Sequence, residues 1–252
     1  MHIEQTLTQM RTLRLSHMAK AMEERVGKGE HKQLSCEEFL GLLIEEEYHA
    51  RKNRKLSRMI GRANFKPEGA CLENIKYKAE RGFAKSDLNP FRSPKWVMAH
   101  QNVLFIGPTG AGKTYLAEAI ALEACKLGYG SLKISYKRLF EELRNARGTG
   151  QYLKYLDKMA AYEVLLLDDF GIGAITEQEG ADLMEILEER LQKSSTLVTS
   201  QYPIELWHTR LPDPTTADAI CDRLVSGAMI LNLKGESLRK EAITIDENDR
   251  QE

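Results

Sequence analysis

Residues 107–114 read GPTGAGKT and fit the spacing G-x-x-x-x-G-K-[ST]. Three glycines let a backbone turn tightly enough to aim its N–H groups at phosphate oxygens, and the N-terminus of a following helix adds its positive dipole end. In such a loop Lys113 reaches the β- and γ-phosphates of a nucleotide, and the Thr114 hydroxyl is placed to ligate Mg²⁺. The whole run is therefore the expected nucleotide-binding loop: Gly107, Pro108, Thr109, Gly110, Ala111, Gly112, Lys113 and Thr114. The apolar run NVLFIG leads into it and a helical pattern leaves it, which is the strand–loop–helix context this chemistry requires.

A second acidic motif lies downstream, in VLLLDD at 164–169. Asp168 ends an apolar run and is expected to share Mg²⁺ with Thr114, through water. Asp169 follows where many nucleoside triphosphatases carry Glu to orient the attacking water. Aspartate is one methylene shorter, so slow basal hydrolysis is expected, with ATP acting more as a switch than as fuel.

Positioning these groups needs a sheet. Short apolar runs at 102–107, 131–135, 164–168, 196–200 and 228–233 alternate with helical stretches at 113–127, 136–147, 152–161, 176–192 and 214–226. Strands apolar on both faces, alternating with helices, imply a five-stranded parallel sheet in an α/β domain. Thr176 with Glu179, and Asp213 with Pro214, read as helix starts. Upstream, residues 4–26 carry a helical spacing of Leu and Met, and Ser35 with Glu38 forms a capping box ahead of a long helical run. The prolines of FKPEGA and NPFRSPK weaken the pattern in between. The expected domains are a helical N-terminal domain at 1–66, a linker at 67–98, an ATPase core at 99–245 and a polar tail at 246–252.

The chain has 252 residues, 29% of them charged, and a formal net charge of −1. Any polyanion site must therefore be local. One candidate exists: YHARKNRKLSRMIGRANFK, residues 48–66, holds seven Lys or Arg and no Asp or Glu. On a helix Arg51, Lys55, Arg58 and Arg62 share a face, flanked by Lys52 and Arg54. Such a stripe tracks phosphates by counterion release, or is a solvated face that pairs with the preceding Glu45, Glu46 and Glu47. The four cysteines are far apart, with no metal-ligand spacing, and no apolar run approaches a membrane span. Reduced thiols in a cytoplasmic protein are expected. No guanine-selecting NKxD, no LSGGQ and no helicase motif set is present.

With both motifs in place, residues from about 100 to 240 resemble the AAA+ class, in the clade of helicase loaders and initiators such as DnaC and DnaA. The closer resemblance is to the IstB-like ATP-binding proteins, helpers of insertion-sequence transposases. The likeness rests on GPTGAGKT, LLLDDFG, TLVTSQYPIELWH, DPTTADAICDRL and LKGESLR in that order. It implies a P-loop AAA+ core behind a small all-α N-terminal domain. It also implies an ATP-dependent homo-oligomer that binds duplex DNA with little sequence preference and serves a partner transposase. By the same resemblance Gln201 is the sensor after the fourth strand, where relatives often carry Asn. Arg223 falls where an arginine finger meets the next subunit's nucleotide, a task its permanently charged planar fork suits. Arg239 corresponds to a second sensor, although too few residues follow for the usual helical lid. The resemblance favours DNA as the counterpart of Arg51, Lys52, Arg54, Lys55, Arg58 and Arg62. Two other readings stay open on sequence: a replicative helicase loader of the DnaC type, and a small-molecule phosphotransferase using the same loop.

Overall fold

A computed structural model describes residues 3–66, 69–75, 77 and 81–235, in two units that meet between Arg58 and Met59. The expected second sensor Arg239, the polar tail and the end of the expected core from 236 onward lie outside the described residues.

In the first unit the helical spacing of residues 4–26 resolves into two helices, α1 (Ile3–Thr12) and α2 (Ser16–Gly27). The chain breaks between them with Arg14 at φ +60°, and the Leu15 N–H returns to the Met10 carbonyl at 2.8 Å. No side chain near the start of α2 caps it. Its cap comes from the long helix α3 (Cys36–Arg62): the Glu47 carboxylate accepts the His17 and Met18 N–H groups at 2.9 and 3.1 Å. That distant partner satisfies the exposed amides of a helix start and explains why periodicity alone ran the two helices together. The start of α3 follows the sequence: the Ser35 N–H donates to Glu38 Oε2 at 2.9 Å, and the Glu38 N–H donates to Ser35 Oγ at 3.2 Å. Leu7, Ala19, Ala21 and Leu43 are buried in this unit.

The second unit is built on five parallel strands: β1 (Val103–Ile106), β2 (Ser131–Ser135), β3 (Val164–Asp168), β4 (Ser195–Ser200) and β5 (Met229–Asn232). Their order is β2-β3-β4-β1-β5. Alternate residues feed two cores. Leu104, Leu132, Ile134, Leu165, Leu167 and Val198 pack on one face, against α6 (Tyr136–Gly148), α7 (Tyr152–Ala160), α8 (Glu177–Arg190) and α9 (Pro214–Val225). Val103, Phe105, Val164, Leu166, Leu197 and Leu231 pack on the other, against α5 (Lys113–Lys126). Burial on both faces is why these strands read as unbroken apolar runs. The expected parallel α/β architecture is the observed one.

The stretch expected as a linker differs. Leu72 of a 3-10 turn at Leu72–Asn74, Ile75, Phe83, Leu88 and Phe91 of a 3-10 segment at Lys85–Arg92, and Trp96 and Val97 of the short α4 (Lys95–Met98) are all buried in the second core. Prolines broke the regular pattern without removing the apolar side chains, so the segment packs without periodicity. Residues just beyond α3 also join this unit, the Lys133 N–H donating to the Ala63 carbonyl at 2.8 Å. Among the described residues no helix is long and apolar enough to cross a membrane.

Candidate nucleotide-binding site

The ends of β3, β4 and β1 lie side by side in that order, so whatever follows them meets at one edge of the sheet. After β1 the chain turns through Gly107, Gly110 and Gly112 at φ +155°, +85° and +86°. At Gly107 the need for glycine is steric as well: a Cβ there would lie 2.2 Å from the Leu233 carbonyl oxygen. Gly112, left-handed, caps α5. Lys113 folds back over the loop, its Nζ donating to the Gly107 and Pro108 carbonyls at 2.8 and 2.9 Å. Arg81 supports the loop from outside, donating to the Ala111 carbonyl at 3.1 Å.

Asp168, at the end of β3 and 6% exposed, is the hub of this edge. Its Oδ1 accepts the Thr114 hydroxyl at 2.8 Å and the Thr199 hydroxyl at 2.6 Å. Its Oδ2 faces Lys133 Nζ at 3.1 Å, and the same ammonium meets Glu118 Oε1 of α5 at 2.5 Å. Burial pulls the Lys133 pKa down, but the Glu118 hydrogen bond and the charges of Asp168 and Glu118 hold it above the ordinary lysine value. The structure thus brings together Thr114 and Asp168, as their spacing led one to expect. It adds Lys133 and Glu118, which no short motif marks, and Thr199 of the TLVTSQ stretch, for which no role is expected from sequence.

Asp169 is exposed and left-handed at φ +62°, a conformation aspartate tolerates better than most residues. Its N–H donates to Thr199 Oγ1 at 2.9 Å, and Ser200 Oγ donates to the Phe170 carbonyl at 3.0 Å. The end of β4 therefore fixes the turn that carries Asp169. Gln201 reaches the loop directly, its Oε1 accepting the Thr109 hydroxyl at 2.8 Å. Lys113, Thr114, Asp168 and Gln201 thus border one edge, with phosphate-seeking donors on the loop and oxygen ligands beside it.

The profile of the family described as IstB-like ATP binding protein matches residues 8–244. The chain belongs to that family. It is 40% identical over 235 residues to the insertion-sequence ATP-binding protein y4pL of Sinorhizobium fredii, covering 93% of this chain and 96% of the relative. It is 28% identical to the IS21 insertion-sequence ATP-binding protein of Pseudomonas aeruginosa, covering 90% and 85%. Among solved structures it resembles the DnaC helicase loader (20% identity, TM-score 0.55, 66% of this chain and 97% of that one). It also resembles replication initiator DnaA bound to AMPPCP and single-stranded DNA (17%, TM-score 0.58, 74% of this chain). The alignment spans 56% of the length of that DnaA chain. At these identities the likeness shows the shared AAA+ fold.

In this IstB-like chain Arg223 sits apart from the loop. It lies in the last turn of α9, and its carbonyl accepts Asn102 Nδ2 at 2.8 Å, just before β1 begins. The loop follows the other end of β1, about 13 Å away at roughly 3.3 Å per residue. Arg223 Nε donates to Glu188 Oε2 at 2.7 Å and Nη1 to the Ala219 carbonyl at 3.0 Å. Its acidic partner is thus Glu188 of α8.

The basic residues all lie on α3, which runs unbroken to Arg62, so the shared face of Arg51, Lys55, Arg58 and Arg62 holds. Two of the six are engaged by the glutamate run. Arg51 Nε donates to Glu47 Oε1 at 2.8 Å and Nη2 to the Arg14 carbonyl at 2.9 Å, while Arg54 approaches Glu47 at 3.5 Å. A shallow cleft in the first unit is lined by Arg14, Arg51, Arg54, Lys55 and Arg58. Arg14 escaped the sequence reading because only the break between α1 and α2 brings it to this cleft.

Proposed function

We propose that the chain is an ATP- and Mg²⁺-dependent DNA-binding helper of transposition. It multimerises on duplex DNA with little sequence preference, presents that DNA to a partner transposase, and hydrolyses ATP slowly to disassemble or remodel the complex. One observation carries the multimeric part: Arg223 stands at the strand-start edge of the sheet, while the loop stands at the strand-end edge. A finger from Arg223 therefore serves a second copy's nucleotide.

The residues present fit Mg²⁺. A hydroxyl and a carboxylate, already in hydrogen-bond contact, offer hard oxygen ligands and leave the other positions to phosphate oxygens and water, as this ion prefers. Thr114 and Asp168 would hold Mg²⁺, which when bound would supply charge neutralisation for the phosphates. Lys113 exchanges the Gly107 and Pro108 carbonyls for phosphate oxygens. Asp169, on a turn fixed by Thr199, orients the attacking water. Gln201, its carboxamide oxygen held by Thr109, directs its amide donors toward the γ-phosphate. Arg223 leaves Glu188 and stabilises the charge on the neighbour's transferring phosphoryl group. Arg51, Lys52, Arg54, Lys55, Arg58 and Arg62 meet DNA phosphates.

The test is to size the protein on duplex DNA with ATP, ADP or a non-hydrolysable analogue. Wild type is expected to form large assemblies with ATP or the analogue, and Lys113→Ala to form none. Arg223→Ala is expected to assemble yet hydrolyse ATP roughly a thousandfold more slowly within the assembly. Full-size assemblies of Lys113→Ala on DNA would remove ATP as the switch.

A further inference from the structure

Lys133 has no part in the loop motif, and its place in the fold is unusual for a surface-type residue. It is the third residue of β2, an outer strand of the sheet, and its side chain is only 12% exposed. Its ammonium is divided between Glu118 Oε1 and Asp168 Oδ2. A buried lysine is costly unless its charge is matched, and here two carboxylates match it. Because Thr114 and Thr199 both occupy Oδ1 of Asp168, the Lys133 contact on Oδ2 fixes which oxygen faces the loop.

The same residue is gripped from the other side. The Lys133 N–H donates to the Ala63 carbonyl at 2.8 Å, and its carbonyl accepts Asn64 Nδ2 at 3.5 Å. Glu118 Oε2 accepts the Lys66 N–H at 3.4 Å, and Phe65 packs on the core beside them. Ala63–Lys66 is the stretch that directly follows α3 in the chain. It therefore adds itself to the outer edge of β2, with its backbone bonded to Lys133 and to Glu118, the two residues that bracket the Asp168 ion pair.

We propose that Lys133, with Glu118, is a positioning pair that couples the Asp168 carboxylate to the seating of residues 63–66. Oxygen ligation at Asp168 then stabilises the docked segment, and undocking the segment frees Lys133 and loosens Asp168. The coupling is reciprocal by thermodynamic necessity. This regulation rests on the reading of Thr114 and Asp168 as the Mg²⁺·nucleotide ligands. It gives the end of the basic helix a physical route to the nucleotide site of its own chain: two backbone bonds, one buried ion pair, one carboxylate.

Hydrogen exchange of the full chain on duplex-free protein tests the link without using hydrolysis. Wild type and the charge-balanced double variant Glu118→Gln/Lys133→Met are compared at saturating ATP, with Mg²⁺ or with EDTA. In wild type Mg²⁺ is expected to slow exchange of the amides in 63–66 and at Lys133 by about fivefold or more. In the double variant that slowing is expected to vanish, and Lys133→Arg, which keeps the charge, is expected to restore part of it. Slowing of equal size in the double variant would overturn the proposal, as would ATP·Mg²⁺ bound by wild type with exchange at 63–66 unchanged. Wild-type protein that binds no ATP sinks the nucleotide reading as well, which separates the two failures. If the double variant does not fold, Glu118→Gln alone, the milder change, takes its place, and slowing there equal to that of wild type overturns the proposal.

Discussion

The nucleotide edge of the second unit and the basic cleft of the first use charge in opposite ways. At the sheet edge, Lys113, Glu118 and Asp168 are buried and held by fixed partners: Asp168 alone meets two hydroxyls and an ammonium. In the cleft, Arg14, Arg51, Arg54, Lys55 and Arg58 are exposed, and one buried carboxylate, Glu47, anchors the group. The first arrangement can hold one small ligand in one geometry. The second tolerates many poses, as the proposed contact with DNA phosphates requires. Preorganisation therefore marks the site where geometry matters, and exposure marks the one where charge does.

Removing a single preorganised donor should give the largest effect. Lys113→Ala deletes the ammonium that bridges the loop, with an expected loss of about 3 kcal/mol, roughly hundredfold, in ATP affinity. Isothermal titration with ATP·Mg²⁺ measures it, and affinity within a few-fold of wild type would mean that backbone N–H groups alone hold the phosphates. The next effect tests the anchor of the other region. Glu47→Ala strips the cap from α2 and leaves Arg51 without its partner, so the first unit should lose about 2 kcal/mol in urea unfolding.

The Glu47 anchor also carries a pH signature. Burial pushes its carboxyl up, but the Arg51 hydrogen bond and the Met18 and His17 amides prevail and hold it below the ordinary glutamate value. A folded pKa below the unfolded one means that the stabilisation is complete above about pH 4.5 and is lost as pH falls through the folded value. Urea midpoints of the first unit should drop on acidification below that value, and Glu47→Gln should flatten the drop. A midpoint equally pH-dependent in Glu47→Gln would assign the effect to other carboxylates.

Legibility followed the range of the physical cause. The loop, the strands and three helix caps were visible in the sequence because each depends on residues within a few positions of one another: Ser35 with Glu38, Thr176 with Glu179, Asp213 with Pro214. The break between α1 and α2 was not, since its cap comes from Glu47, thirty positions from His17. The packing of Leu72, Phe83, Leu88, Phe91 and Trp96 was hidden for another reason. Prolines and 3-10 turns erase periodicity, which is the only sequence signal for burial of Phe91 or Trp96. Within the site, Thr114 and Asp168 stood in recognisable motifs, whereas Lys133 looked like an ordinary strand lysine. Its role follows from strand order, because β2 neighbours β3 and brings Ser135 beside Asp168.

The smallest expected effects separate the two kinds of arginine and lysine within the cleft. Arg51 does double duty, bonding Glu47 and the Arg14 carbonyl, while Lys52 lies exposed on the next helical position. The proposed DNA contact predicts that Lys52→Gln reduces the slope of log affinity against log salt by about 0.9, the value for one phosphate lost on duplex DNA, at constant stability. Arg51→Gln should reduce the slope by a similar amount and also lower the urea midpoint of the first unit, because Glu47 loses its partner. Fluorescence anisotropy on a duplex at several salt concentrations, paired with urea curves of both variants, reads the two quantities separately. A Lys52→Gln slope equal to wild type would take that residue off the phosphate path. An Arg51→Gln protein with wild-type stability would mean that the His17 and Met18 amides suffice to hold Glu47, and that Arg51 is as available to DNA as its neighbour.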